Sequence, residues 1–329
     1  MKANRTAFLP TLALLLLSLG LCACAPSFSL FGGGAQPYKQ QTISGAGDGK
    51  ILLISVDGLI SERTRESFMR TRPSVVEEVA AQLKLARKDK DIKAVLLRVD
   101  SPGGTTTASD IIYHELLRYR EETKVKLVTV MMGLAASGGY YVALPSDHIA
   151  AHPTTVTGSV GVIFLQPRVA GLLDKIGVGV DVSKSGLQKD MGSPFREATA
   201  EEKKLTEAMV KAQAARFLDL VQKHRRLEPA ALTIVSTARV FTAGEAKDLG
   251  LIDSVGYMED AVAKAAELAG LGKNPQVVTY RRRPGTDATW YQAGADAGDL
   301  RPSLINIGLD NLLPPSAGFY SVWTPGLGQ

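Results

Sequence analysis

Cysteine is almost missing from this 329-residue chain: there are two, Cys22 and Cys24, both near its start. Everything after residue 24 is therefore left without a disulfide and without a thiol nucleophile. Histidine is nearly as scarce, at four, and neither an HExxH nor a CxxC spacing occurs, so the usual frames for a zinc ion are absent. His148 and His152 are four apart but lie in a strand-like stretch closed by Pro153, where they share no helical face. SPGGTTT (101–107) lacks the lysine and the spacing of a phosphate-binding loop. Charge of one sign is also lacking. The formal net charge of +5 falls to about +3 without Lys2 and Arg5, which leaves no electrostatic footprint for nucleic acid. The run Arg281, Arg282 and Arg283 reads as a solvated tail segment. No metal and no cofactor is expected.

What is present begins with the leader, MKANRTAFLPTLALLLLSLGLCACAP. Two positive charges, an uncharged leucine-rich run and small residues at the end are the layout of an export signal. The apolar core from Leu12 to Leu21 is short for a spanning helix, which needs about 20 apolar residues. Leu21-Cys22-Ala23-Cys24 resembles a bacterial lipobox, which implies cleavage before Cys24 and a lipid on its thiol. An uncleaved membrane anchor is the other reading, and both export the body to the cell envelope. The chain then divides into a signal segment (1–24), a flexible Gly/Ser/Gln-rich tether (25–49), a body (50–275) and a Gly/Pro-rich C-terminal extension (276–329) carrying Trp290 and Trp323.

Within the body, hydrophobic patterning predicts strands at 50–60, 93–100 and 124–132, with a helix from Ser74 to about Lys88 and another over 108–122. Further strands are predicted at 157–164 and 178–183, a short helix over 168–177, a long polar helix over 199–224, and a last helix over 257–270. Strands alternating with helices predict βαβ units and a mainly parallel sheet, with a helical extension. In such folds, sites form where strand ends meet loops and helix starts. Two small-residue stretches fall at such ends: SPGG (101–104) and AASGG (135–139).

Acyl transfer needs a nucleophile, a base and donors for the oxyanion. Ser137, one hydroxyl among alanines and glycines at a strand-to-helix turn, suits the first role. Gly103, Gly104 and the amide of Gly138 suit the oxyanion hole, since glycine tolerates the backbone turns that aim an amide inward. From the residues alone the base stays open among Lys184, Lys189 and the histidines. A lysine serves only if its amine is kept neutral.

SPGG, LAASGGYYVA, TGSVGVI, SGLQKDMGSPFREAT and RVFTAGEAKDLGLIDSVG occur in the order found in the signal peptide peptidase A family. The chain resembles that family, in its short single-domain form, over about residues 50 to 270. The resemblance implies a Clp-protease/crotonase-like fold and a Ser–Lys dyad with Ser137 as nucleophile and Lys189 as general base. Ser159, in TGSVGV, would hold the lysine amine. It further implies short apolar peptide substrates such as remnant signal peptides, and a ring, a homo-octamer, in which serine and lysine come from neighbouring subunits. A lipobox-like start departs from relatives that keep a spanning anchor. The competing expectations are a crotonase-like acyl-CoA enzyme, which would need catalytic carboxylates, and a non-catalytic envelope scaffold.

Overall fold

The computed structural model describes residues 37–67, 70–282, 289–291 and 318–323. The leader, Cys24 and the first part of the expected tether lie outside the described residues. Two strands come first, β1 (Lys39–Ser44) and β2 (Lys50–Asp57), followed by a short antiparallel pair, β3 (Arg65–Ser67) and β4 (Arg70–Arg72). Ser74 then opens α1 (Val75–Ala86). Its hydroxyl accepts from the Glu77 amide while the Glu77 carboxylate accepts from the Ser74 amide, so two donors otherwise orphaned at the helix start are satisfied.

β5 (Ile92–Ser101) stops at Pro102, which has no amide to offer a neighbouring strand, and the chain resumes as β6 (Gly103–Thr105). The Thr105 hydroxyl caps α2 (Thr106–Thr123). β7 (Lys126–Ala136) leads into the six-residue α3 (Gly138–Ala143). Next come β8 (His148–Ala151), β9 (Val156–Gly158), β10 (Ile163–Leu165), α4 (Ala170–Lys175) and the 26-residue α5 (Ala200–Arg225). The remainder is α6 (Pro229–Val235), β11 (Val240–Thr242), α7 (Ala243–Asp248), β12 (Ser254–Val255), α8 (Met258–Ala269), β13 (Gln276–Arg281) and β14 (Gly318–Val322).

The main sheet runs in the order β1-β13-β2-β5-β7-β8-β12, parallel throughout that path except for β1 with β13, and off it β9 pairs antiparallel with β11. Helices cover both faces, which is why its central strands read as unbroken apolar runs. Leu52, Ile54 and Val56 of β2 point to the side of α1, α2 and α3, while Ile51 and Leu53 point to α8. The far end of β7 takes a different partner: beyond β8 it pairs with β9, so Ala136 lies opposite Gly158. That extension carries the chain past the sheet edge at residue 137. A second sheet, β10-β14-β6, stands apart from the main one.

Three expectations differ from what is observed. Residues 178–183 form no strand; Val178, Val180 and Val182 are all exposed, and among the described residues no strand lies alongside to pair with them. Residues 157–164 form two strands in different sheets, because Ser159 takes a positive φ of 49° and breaks the run. The sheet also extends past both expected borders of the body. β1 lies inside the tether region, polar because it is an edge, and β13 lies beyond residue 275, where Val277 and Val278 are buried in the sheet.

Candidate active site

Ser137 sits in the turn between β7 and α3 with φ 53° and ψ −114°, a conformation that an L-residue rarely adopts. Neighbouring bonds hold it there. Its amide donates to the Gly158 carbonyl at 2.7 Å, and its carbonyl accepts from the Tyr141 amide at 2.9 Å. Such strain persists only where surrounding structure over-determines it, and it concentrates at functional sites. The side chain is 1% exposed, and its hydroxyl makes only a long contact, 3.5 Å, with the Gly161 carbonyl. Among the described residues no titratable side chain hydrogen-bonds to it.

The glycine loop presses against this turn. A methyl group added at Gly104 would fall 1.8 Å from the Ile60 carbonyl oxygen, and one at Gly103 would fall 2.7 Å from the Gly138 nitrogen. Gly103 also has φ +99°, so glycine is required there on both counts. The two backbones thus approach as closely as missing side chains allow, with Gly103 lying against Gly138, the residue after Ser137. The Gly103 amide is already engaged, donating to the Ser101 hydroxyl at 3.0 Å. Ser101, fully buried, donates in turn to the Gly58 carbonyl at 2.6 Å and so ties the loop to the end of β2. This positioning role was hidden in the serine of SPGG; a buried hydroxyl at a strand end is the only signal the sequence offers for it.

Ser159 lies one residue beyond β9, with positive φ and its amide bonded to the Arg239 carbonyl at 2.9 Å. Its neighbour Gly158 faces Ala136, so Ser159 stands next to the nucleophile turn. Lys189 is elsewhere. It lies in an exposed loop between α4 and α5, with its backbone amide bonded to the Gly186 carbonyl at 3.1 Å, and among the described residues its amine makes no hydrogen bond to Ser137 or Ser159. What anchors the loop is Asp190, which pairs with Lys184 and with Arg196, both at 2.8 Å. Arg196 also pairs with Glu202 in the first turn of α5. These bonds from Arg196 hold the Asp190 carboxyl well below the usual range, with Lys184 adding to the effect, and lower Glu202 to about 2 with help from the Thr199 amide.

The surroundings of Lys189 are conspicuously apolar for an exposed region. Leu187 is 84% exposed, Ile176 62% and Leu172 60%, with Val178, Val180, Val182 and Phe195 exposed in the same stretch. The alternative bases are engaged away from the nucleophile: His148 with Ser254, His152 with Thr154, and His224 with Tyr113, each at 2.8 Å. His114 is exposed on α2. Among the described residues no cluster of His, Cys, Asp or Glu is fit to hold a metal ion, and no helix is long and apolar enough to cross a membrane.

Comparison with known proteins bears on the family and the fold. The family model described as "Peptidase family S49" matches residues 119–272, and that of "Clp protease" matches 55–155. An Enterococcus faecium protein named as a signal peptide peptidase SppA is 35% identical over 230 residues, which is 70% of this chain and 67% of that one. A Synechocystis protein named as a protease is 37% identical over 235 residues, 71% of this chain and 78% of its own length. "Serine protease SPPA, chloroplastic" from Arabidopsis thaliana is 31% identical over 242 residues, 73% of this chain but only 36% of that longer protein.

Proposed function

Because the chain belongs to peptidase family S49 and is a serine peptidase of Clp-protease-like fold, we propose that it is an envelope-bound endopeptidase that cleaves short apolar peptides, remnant signal peptides among them. The observation that carries the site assignment is Ser137 itself, strained and buried one residue before Gly138, whose backbone lies against the glycine loop; the amides of Gly104 and Gly138 are the donors proposed for the oxyanion. In this reading Ser137 Oγ attacks the peptide carbonyl and passes its proton to a neutral lysine. The two amides hold the oxyanion, the lysine returns the proton to the leaving amine, and water then hydrolyses the acyl-enzyme.

Lys189 is the base in this proposal, supplied by a neighbouring copy and steadied by Ser159. Its place outside bonding reach of Ser137 within one chain supports sharing, as does the uncovered apolar stretch around it, since such patches mark surfaces meant to be covered. A closed ring of identical chains, eight in the family resembled, would cover that stretch and complete each site. Lipidation at Cys24 would tether the ring to the envelope. Family membership argues against both the acyl-CoA enzyme and the scaffold.

The test is hydrolysis of a fluorogenic apolar peptide by the purified chain beside Ser137→Ala and Lys189→Ala, each checked for assembly. Loss of activity in both, by a factor on the order of 10³ or more, is the expected result. Full activity in Lys189→Ala would overturn the assignment of the base. Metabolic labelling with radioactive palmitate, lost in Cys24→Ser, checks the anchor.

A further inference from the structure

β5 and β7 are in step up to Val99 and Met131, and in step again from Ser101 and Ala135. Between those pairs β5 has a single residue, Asp100, while β7 has three, Met132, Gly133 and Leu134. β7 therefore carries two residues more than its neighbour, a bulge of a kind that parallel pairs rarely contain and that gathers beside active sites. The other edge of β7 changes partner over the same residues. Met131 is the last to pair with β8, opposite Ala151, and Leu134 is the first to pair with β9, opposite Val156.

The bulge decides what stands opposite what at the end of the sheet that carries Ser137. Held in the register of Val99 and Met131, the strands would bring Ala135 level with Gly103 and carry Ser137 on to Thr105. With the two extra residues Ser101 meets Ala135, and counting on from that pair sets Ser137 level with Gly103. The contact between the two turns agrees, since a methyl on Gly103 would fall 2.7 Å from the Gly138 nitrogen. At about 3.3 Å per residue the shift amounts to about 7 Å along the strand, the difference between a serine beside the glycine loop and one well past it.

Side chains hold the bulge from both edges. On the β5 side the Asp100 carbonyl faces away, accepting from the Gly58 amide at 2.9 Å, and in its place the Asp100 carboxylate accepts from the Leu134 amide at 3.0 Å. On the other side the buried Thr155 hydroxyl lies 3.0 Å from the Met131 carbonyl oxygen and 2.5 Å from that of Met132. The Thr157 hydroxyl, also buried, donates to the Ala135 carbonyl at 2.6 Å. We propose that Asp100 is a positioning residue for the peptidase reaction: its carboxylate, with Thr155 and Thr157 across the strand, locks the bulge that brings Ser137 level with the glycine loop. The role needs an acceptor at that place and not a charge, because the partner is a neutral main-chain amide. Its consequence for hydrolysis rests on the reading of Ser137 as the nucleophile, whereas the lock itself is measurable in a chain that cuts nothing.

The experiment compares the full chain with Asp100→Asn, which keeps an oxygen able to accept from Leu134, and with Asp100→Ala, which does not. In steady-state hydrolysis of a fluorogenic apolar peptide, Asp100→Ala should lower kcat by on the order of 10² with KM little changed, the cost of a nucleophile misplaced by about an ångström. Asp100→Asn should stay within about threefold of the parent, since the acceptor is retained. Hydrogen exchange followed by mass spectrometry reads the lock directly. Peptides covering residues 132–138 should exchange about tenfold faster or more in Asp100→Ala than in the parent or Asp100→Asn, while β2 and the first half of β5 stay protected. Thr155→Val beside Thr155→Ser repeats the comparison from the other edge should Asp100→Ala fail to fold. An equal loss of kcat in Asp100→Asn and Asp100→Ala would make the charge the active feature and overturn the inference. Unchanged exchange over 132–138, or unchanged kcat, in folded Asp100→Ala would overturn it too. Faster exchange in Asp100→Ala together with hydrolysis that survives Ser137→Ala would instead sink the reading of Ser137 as nucleophile and leave the lock standing.

Discussion

At the scale of single residues, the site is made by the absence of side chains as much as by their presence. Gly104 has no space for even one carbon, since a methyl there meets the Ile60 carbonyl at 1.8 Å, and that contact is backbone that cannot swing aside. Gly104→Ala should therefore displace the amide proposed for the oxyanion and lower kcat by about 10²–10³, the usual effect of losing one such donor, readable in steady-state kinetics. Ser101→Ala should act more mildly. The Gly103 amide would lose its partner, at about 1–3 kcal/mol, and kcat would fall while KM for a short peptide stays near its starting value. His224 supplies a different kind of test. Burial lowers its pKa, with Lys223, Arg120 and Arg225 adding to the effect, while its ring bonds to the Tyr113 hydroxyl. Above the unfolded value near 6.5 neither state is protonated and the ring's contribution is fully present. As pH falls below that value the unfolded chain takes up the proton first, so stability declines until the folded ring is protonated too. Thermal melts at pH 7.5 and 5.0 should show a drop that becomes smaller in His224→Gln.

At the scale of elements, α5 shows how a mostly solvated helix is secured by few contacts. Phe217 and Val221 are its buried apolar residues, and the Phe217 ring lies 4.7 Å from Tyr141 in α3, four residues past Ser137. Phe217→Ala should destabilise the chain by about 3–5 kcal/mol in denaturant unfolding, the range for removing a buried phenylalanine. At the other end of α5, Arg196 joins the helix cap to the loop that carries Lys189. Both carboxylates it holds have lowered pKa values, so these pairs are present at neutral pH and are lost only in strong acid, as the pH falls through the lowered values. The patterning of these elements was legible in the sequence because it is local. The Ser74 capping box, the unbroken apolar run of β2 and the break at Pro102 each depend on residues a few places apart. The strand expected over 178–183 failed for the complementary reason: alternation of valines makes a strand only where another strand is there to pair with it.

At the scale of the whole molecule, the proposed base stands on an exposed loop while the proposed nucleophile is buried. If neighbouring copies share the site, Ser137→Ala and Lys189→Ala should complement each other when dissociated and reassembled as a mixture. Random assembly leaves about a quarter of the interfaces with both partners intact, so about a quarter of the parent activity is expected, and none would return if the dyad were closed within one chain. The same assembly should cover Leu172, Ile176 and Leu187, and a charged substitution at Leu187 should shift the mass seen by light scattering from ring to monomer.

The sequence by itself determined the alternating βαβ order, the strand–serine–helix turn at Ser137 and the glycines that must stand beside it. Each is written in residues near one another along the chain, where sterics, capping and periodicity act directly. Tertiary structure alone decided that Gly103 spends its amide on Ser101, that the sheet continues into β1 and β13, and that β14 threads between β6 and β10. Those outcomes pair residues as far apart as Gly104 and Ser321. Main-chain hydrogen bonds carry no side-chain signature, and which edge a strand joins is settled only when the sheet exists to receive it.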